Sequence, residues 1–311
     1  MKLGVGVPVS GSWATPGTMR LVARRAEELG YASLWTFQRL LYPADVSADP
    51  ARWPPVYRSV HDPLVTLAYL AGQTSTIRLG VAVLNMPFYS PLLLAKQATT
   101  LDVVSGGRLD LGLGIGWSEL EYAATRAPTD QRGARADEFL TTLHAIWASD
   151  VVEVQGRFWQ LSGVRVEPRP LQQPRPGLLL GGHAPAALRR AGRLADGWVS
   201  SSGQDLAALP RAVETVRQGA AEAGKDPAGT RIVVRGVARL RPGSAAARRP
   251  LSGSYDEIRA DLDVLRGHGV TETFLDLNFD RTIGAVDADP EDSARRALEL
   301  LEALAPSGGR S

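Results

Sequence analysis

Three glycines stand two residues apart in "RLDLGLGIGW", residues 108–117: Gly112, Gly114 and Gly116, with Trp117 directly behind them. Side chains alternate faces along a strand, so these three share one face while Leu111, Leu113 and Ile115 share the other. Each strand glycine costs about 0.5–1 kcal/mol relative to alanine. A face without side chains can take a flat ring against backbone amides, or a neighbouring strand packed close; the spacing alone allows both. A dinucleotide fingerprint needs G-x-G-x-x-G early in a βαβ unit with an acid about 20 residues on. The spacing here is G-x-G-x-G after three earlier strands, which argues against such a site. A second pair, Gly181 and Gly182, precedes His183, Ala184 and Pro185 in "LLLGGHAPAALRRAG". Glycines before a helix start leave backbone N–H groups open to a phosphate, or simply make a tight turn. Groups for proton transfer or anion binding are few: His61, His144, His183, His268, Glu119, Glu121 and Arg39. His144 lies in a helix and His268 at a helix end, and both read as structural. With no cysteine and scattered histidines, no metal is expected, and no G-x-S-x-G nucleophile motif occurs.

These groups must be held by a frame, and hydrophobic periodicity supplies one. Short apolar runs read as strands over Leu3–Val7, Ala32–Thr36, Ile77–Leu84 and Leu109–Leu113, then at "GLLLGG", "GWVSSS", Arg231–Leu240 and Thr271–Leu277. Between them, helices are expected over Thr18–Leu29, from the Asp62–Pro63 cap to about Gln73, and over Pro91–Val104. A polar loop follows the fourth strand, then helices over about Arg135–Ala148, Ala186–Leu194 and Leu206–Ala223. Ser254 and Glu257 form a capping box for a helix to about Arg266, and a last helix spans about Glu291–Leu304. The strands are continuous apolar runs, as in a parallel sheet buried on both faces. Eight strand–helix units favour an α/β fold of the closed (β/α)₈ TIM-barrel type. The long segment 37–63 after strand two and the excursion around 150–175, including a hairpin about Gly156, read as insertions on it. The first insertion follows a strand, on the face where barrel active sites lie, and carries Tyr42, Trp53, Tyr57 and His61.

Three stretches together resemble the bacterial-luciferase-like superfamily, in particular its branch dependent on coenzyme F420, a deazaflavin. They are "RLGVAVLNMPFYSPLLLAKQATTLDVVSGGRLDLGLGIGW", "GGHAPAALRRAGRLADGWVSS" and "YASLWTF". The likeness is good over about residues 1–200 and less specific over 231–280. It implies a (β/α)₈ barrel with an isoalloxazine-type ring at its C-terminal mouth. It also implies a non-proline cis peptide on strand three, among Ala82, Val83 and Leu84, followed by Asn85. The phosphate-contacting turn would fall on Gly181, Gly182, His183 and Ala184, and the strand end along the ring on Gly114, Gly116 and Trp117. The chain departs from the branch in two places. F420-dependent dehydrogenases of this kind commonly carry Asp-His after the strand-two Trp, where this chain has Gln38 and Arg39. They often place a glutamate where Trp117 stands. Gln38 thereby counts among the cofactor-binding positions.

With such a cofactor, the protein supplies orientation and a proton donor. His61 could reach the mouth as that donor, or serve only its loop. Glu121, like Glu119, could act behind Trp117, or lie solvated at a helix start. Arg39 could bind an anionic substrate or the cofactor tail, or form a plain salt bridge. His183 suits a phosphate contact, and Trp53, Tyr57 and Phe88 could wall an apolar pocket. The expected function is an oxidoreductase transferring hydride between F420 and an organic substrate. The alternatives are an FMN-dependent monooxygenase working with a separate flavin reductase, and a cofactor-binding protein without turnover. Members of the superfamily often form homodimers, and a homodimer is expected here.

Composition excludes other classes. Of 311 residues, 44% are hydrophobic and 22% charged, an ordinary globular balance large enough for one sizeable core. Thirty-five basic residues against 33 acidic ones leave a net charge of +2, with no basic run suited to nucleic acid. The opening "MKLGVGVPVSG" lacks the pattern of a signal peptide, and no apolar run approaches the length of a membrane span. A cytoplasmic protein is expected, with residues 1–311 forming one domain that ends in a loose tail from about 306.

Overall fold

Each barrel strand is followed by a helix, several of them capped at the first turn, and this repetition closes the chain on itself. In the computed structural model, which describes residues 1–241 and 248–306, the elements begin with β1 (Lys2–Gly6), α1 (Pro16–Glu28), β2 (Ser33–Thr36) and α2 (Pro63–Ala71). They continue with β3 (Arg78–Asn85), α3 (Pro91–Val104), β4 (Leu109–Gly114), α4 (Glu119–Thr125) and α5 (Arg132–Ala148). A hairpin of β5 (Val152–Gln155) and β6 (Gln160–Val164) precedes β7 (Gly177–Gly181), α6 (Pro185–Leu194), β8 (Gly197–Val199) and α7 (Leu209–Glu222). Next come β9 (Arg231–Val237), β10 (Arg239–Leu240), β11 (Ser252–Gly253), α8 (Tyr255–Gly267), β12 (Glu272–Asp276) and α9 (Pro290–Ala303). Thr15, Asp62, Ser90 and Asp289 each accept a backbone N–H at a helix start whose first position is proline. Each such cap stabilises its helix by about 1 kcal/mol.

The strands β1-β12-β9-β8-β7-β4-β3-β2 hydrogen-bond in that order and close a barrel. All these pairings are parallel. One apolar layer lies between barrel and helices. Inside the barrel sits a second, of Trp35, Leu179, Val199, Val233 and Phe274, with Trp35 and Phe274 stacked at 5.1 Å. At the N-terminal end of the barrel, Asp110 lies fully buried between Arg78 and Arg231. Its Oδ2 accepts Arg78 Nε at 2.8 Å and its Oδ1 accepts Arg231 Nη1 at 2.6 Å. Ion plug and stacked rings together fill that end, so the open end is the other one.

Three local expectations are corrected. The segment after β4 is not only a polar loop: Ser118 caps the short helix α4 by accepting the Glu121 N–H. The seventh barrel strand ends at Val237, and Arg239–Leu240 instead pair with β11. Helix α6 starts at Pro185, one residue earlier than the periodicity suggests. Of the tail expected to be loose, residues 307–311 lie outside the described residues. No helix among the described residues is long and apolar enough to cross a membrane.

Candidate functional site

A cavity of about 930 Å³ opens at the C-terminal end of the barrel, lined from the ends of β2, β3, β4, β7, β8 and β9. The strand ends bring together many positions singled out in the sequence. Gln38, Arg39, Ala82, Val83, Asn85, Gly114, Gly116, Trp117, Gly181, Gly182, His183 and Ala184 all line it. His61, Leu84 and Glu121 are not on the lining.

The glycine strand meets β3 at this floor. The Ala82–Val83 peptide is cis, where the resemblance places one, and the β3–β4 register shifts between Val81 and Leu84. The glycine face is not bare, because β3 bulges into it. A Cβ on Gly112 would overlap the Val81 carbonyl oxygen, and one on Gly114 would lie 2.8 Å from Val83 Cγ2. Gly116 has φ +71°, a backbone state that disfavours any side chain, and faces Asn85. The alternation therefore serves close packing first. Gly114 and Gly116 still expose their backbone to the cavity, with the Val83 side chain beside them. Leu84 points the other way and is fully buried in the layer under the helices.

Gln38 is buried and joins two strand ends. Its Oε1 accepts the Asn85 N–H at 2.9 Å, and its Nε2 donates to Tyr89 Oη at 2.7 Å. Burial pushes the Tyr89 phenol up to about 12, so it stays protonated. Arg39 forms a buried ion pair with Glu121, Nη1 to Oε2 at 2.8 Å, while Glu121 Oε1 accepts the Leu40 N–H at 2.7 Å. Both oxygens of Glu121 are thus engaged behind Arg39, which accounts for its absence from the lining. The Arg39 guanidinium sits 4.7 Å from the ring centres of both Tyr57 and Trp117. Burial pushes its ionisation down, and the Glu121 charge opposes that. On the other side of this wall, Arg52 stands 4.9 Å from the Trp117 ring and donates to the Trp117 carbonyl at 3.0 Å. His61 faces away from all of this: its Nε2 is 2.9 Å from the Ala14 carbonyl on an exposed stretch. The structure does not bring it to the mouth as a proton donor.

On the opposite rim, β7 runs through Gly181 and Gly182 into α6, whose N-cap Ala184 offers no side-chain acceptor. Gly182 takes φ +131° and its carbonyl accepts Trp198 Nε1 at 2.8 Å, which fixes the turn. Arg190 of α6 and Arg132 of α5 also line the cavity there. Arg190 is held by Asp137 at 2.7 Å, whereas Arg132 forms no ion pair among the described residues. Such a turn, with a helix start and two cations, is a ready site for an anion.

Sequence reasoning missed a buried cation on the lining. Arg235 of β9 is 7% exposed and pairs with Asp276, Nε to Oδ2 at 2.7 Å. Its guanidinium lies 4.5 Å from the Phe37 ring centre and 4.9 Å from that of Phe279. A signal existed: an arginine inside the apolar run "RIVVRGV", four residues from Arg231 and so on the same inward face. Arg52, Arg132, Arg190 and Ser200–Ser202 were missed as well; they come from loops and helices, where no periodicity tells which side chain faces the mouth.

Comparison with known proteins bears on this site. A model described as luciferase-like monooxygenase matches residues 4–308. The uncharacterized protein Rv0940c of Mycobacterium tuberculosis is 35% identical over 289 residues, covering 90% of this chain and 91% of its own. An FMNH(2)-dependent dimethylsulfone monooxygenase of Pseudomonas putida is 29% identical over 208 residues, 66% of this chain and 54% of that one. An F420-dependent glucose-6-phosphate dehydrogenase of Kineococcus radiotolerans is 30% identical over 207 residues, 66% of this chain and 58% of that one.

Proposed function

This chain belongs to the luciferase-like monooxygenase family, and from that premise we propose that it is an F420-dependent oxidoreductase acting on a small organic substrate at the barrel mouth. Bound there, the deazaflavin would supply hydride transfer, two electrons at a time. The fit lies in the chain's own groups. The turn Gly181–Ala184 and the arginines Arg132 and Arg190 would hold an anionic tail, and Ala82, Val83, Gly114 and Gly116 would form the floor beneath a flat ring. Phe37, Tyr57 and Trp117 would keep water from the far side. Glu119, Tyr57 and His183 line the cavity and are the groups placed to exchange a proton there.

The observation that carries F420 over FMN is the charge of the lining. Among the described residues, Arg132 and Arg190 line the cavity beside the Gly181–Ala184 turn, and Glu119 is the one acid on the lining. That suits a tail with a phosphodiester and several carboxylates better than a single phosphate. The dimethylsulfone relative favours a second reading, an FMN-dependent monooxygenase with a separate flavin reductase.

Titration of the purified protein with F420 and with FMN, followed by fluorescence, tests the choice. Micromolar or tighter F420 binding is expected, with FMN at least tenfold weaker. Tight FMN binding without F420 binding would replace the proposal with the second reading.

A further inference from the structure

We infer that the substrate is an organic acid, its carboxylate received at the β2–β9 side of the cavity by Arg39 and Arg235. The inference rests on the proposed oxidoreductase reading and names the substrate class of the same site. Two guanidiniums, each at least nine-tenths buried, line one side of the cavity. Each has a single counter-carboxylate set behind it, Glu121 for Arg39 and Asp276 for Arg235. The faces of both are covered by rings, Tyr57 and Trp117 for one, Phe37 and Phe279 for the other. Stacking of this kind blocks the planes and leaves the edges, where N–H groups lie in the geometry that matches a planar carboxylate.

Those edges are not used up. A guanidinium carries five N–H donors, and one carboxylate cannot take them all. Arg39 Nε is buried with no hydrogen-bond partner among the described residues. Arg235 Nη1 reaches only the Ala82 carbonyl, at 3.5 Å, longer than a normal N–H···O bond. The two cations also repel each other: the Arg235 charge is one of the influences that lower Arg39's ionisation, after burial. Both cations line the same aromatic side of the cavity with donors to spare, and a carboxylate there would take those donors and offset their mutual repulsion. The surrounding Phe37, Tyr57 and Trp117 would take an apolar body attached to that anion.

Calorimetry with benzoate and its neutral isostere benzamide tests this on the intact protein, with and without cofactor. Benzoate should bind at least tenfold more tightly than benzamide. Arg235→Met should bring benzoate down to the benzamide level, while cofactor affinity changes less than twofold. Arg235→Met leaves Asp276 unpaired and could fail to fold. Arg235→Lys keeps the charge but not the flat edge, and should still weaken benzoate about tenfold. Equal affinity for benzoate and benzamide, or unchanged benzoate binding in either folded variant, overturns the inference. Benzoate binding without any F420 or FMN binding would instead sink the oxidoreductase reading and leave the acid pocket standing.

Discussion

A methyl group on Gly112 would overlap the Val81 carbonyl oxygen, which is backbone and cannot swing aside. On Gly114 the same methyl would meet the end of Val83, a side chain that lines the cavity. The two glycines thus separate a packing role from a site role, though they share one face of β4. Gly112→Ala should destabilise the protein by about 3 kcal/mol, the upper range for an overpacked core. Gly114→Ala should cost less, because Val83 can shift, but that shift moves into the cavity. We expect it to weaken cofactor binding about tenfold at near-normal stability. Chemical denaturation and cofactor titration of both variants check this. A Gly112→Ala protein as stable as the parent would mean that β3 and β4 do not approach as closely as described.

Between elements, the Trp117 ring is one of the ties that fasten the insertion after β2, beside the Ser10–Val60 bridge and the Glu121 bonds to Arg39 and Leu40. Trp117 follows β4 and lies between Arg39 and Arg52, with Trp53 at 5.0 Å and Tyr57 at 6.4 Å. Each cation–π contact stabilises by about 0.5–2 kcal/mol. Losing two of them, at about 1 kcal/mol each, should raise local opening of the segment roughly 30-fold. Trp117→Ala should therefore be cut by trypsin after Arg52 or Arg58 about that much faster, while far-UV dichroism stays unchanged. An unaltered cleavage rate would show that the insertion is held elsewhere. Much of this arrangement is legible in the sequence. The eight barrel strands are apolar runs because both their faces are buried, and α2 and α3 announce themselves by caps followed by proline. The glycine turn before α6 is legible for the same reason, since glycines and a proline are local signals. Helix α4 has too few turns for periodicity, though Ser118 and Glu121 stand at capping-box spacing. Arg39 could not be read as a wall residue. Tyr57 lies 18 residues on in the same insertion, Trp117 in the loop after β4 and Glu121 in α4, and only the fold brings them together.

Over the whole molecule, the buried ionisable groups at the closed end of the barrel respond to acid differently from one in the helical layer. At the closed end, burial would raise Asp110, but Arg78 and Arg231 outweigh it and hold its ionisation below the ordinary carboxylate value of 3.8. A depressed carboxylate contributes stability that is present above its unfolded value and lost only as pH falls through the lower folded one. The plug should therefore survive mild acid. The helical layer holds an earlier weak point, His144 of α5. Burial, then Arg175 and Lys225, push it from 6.5 down to about 4, with Asp196 opposing, and its Nε2 has no partner among the described residues. Here the unfolded chain binds the proton first. The native protein is favoured fully above pH 6.5 and loses that advantage progressively as pH falls to about 4. Melting temperature should accordingly drop between these two values, before the plug titrates. His144→Gln removes the titrating ring and should flatten this part of the profile. Its melting temperature at pH 7 should also change less than at pH 4.5, where the parent is already weakened. Parallel curves for parent and variant across that interval would move the acid sensitivity away from α5. Benzoate and cofactor affinities at the mouth, compared between parent and His144→Gln at each pH so that the ligand's own protonation cancels, should not follow the His144 step.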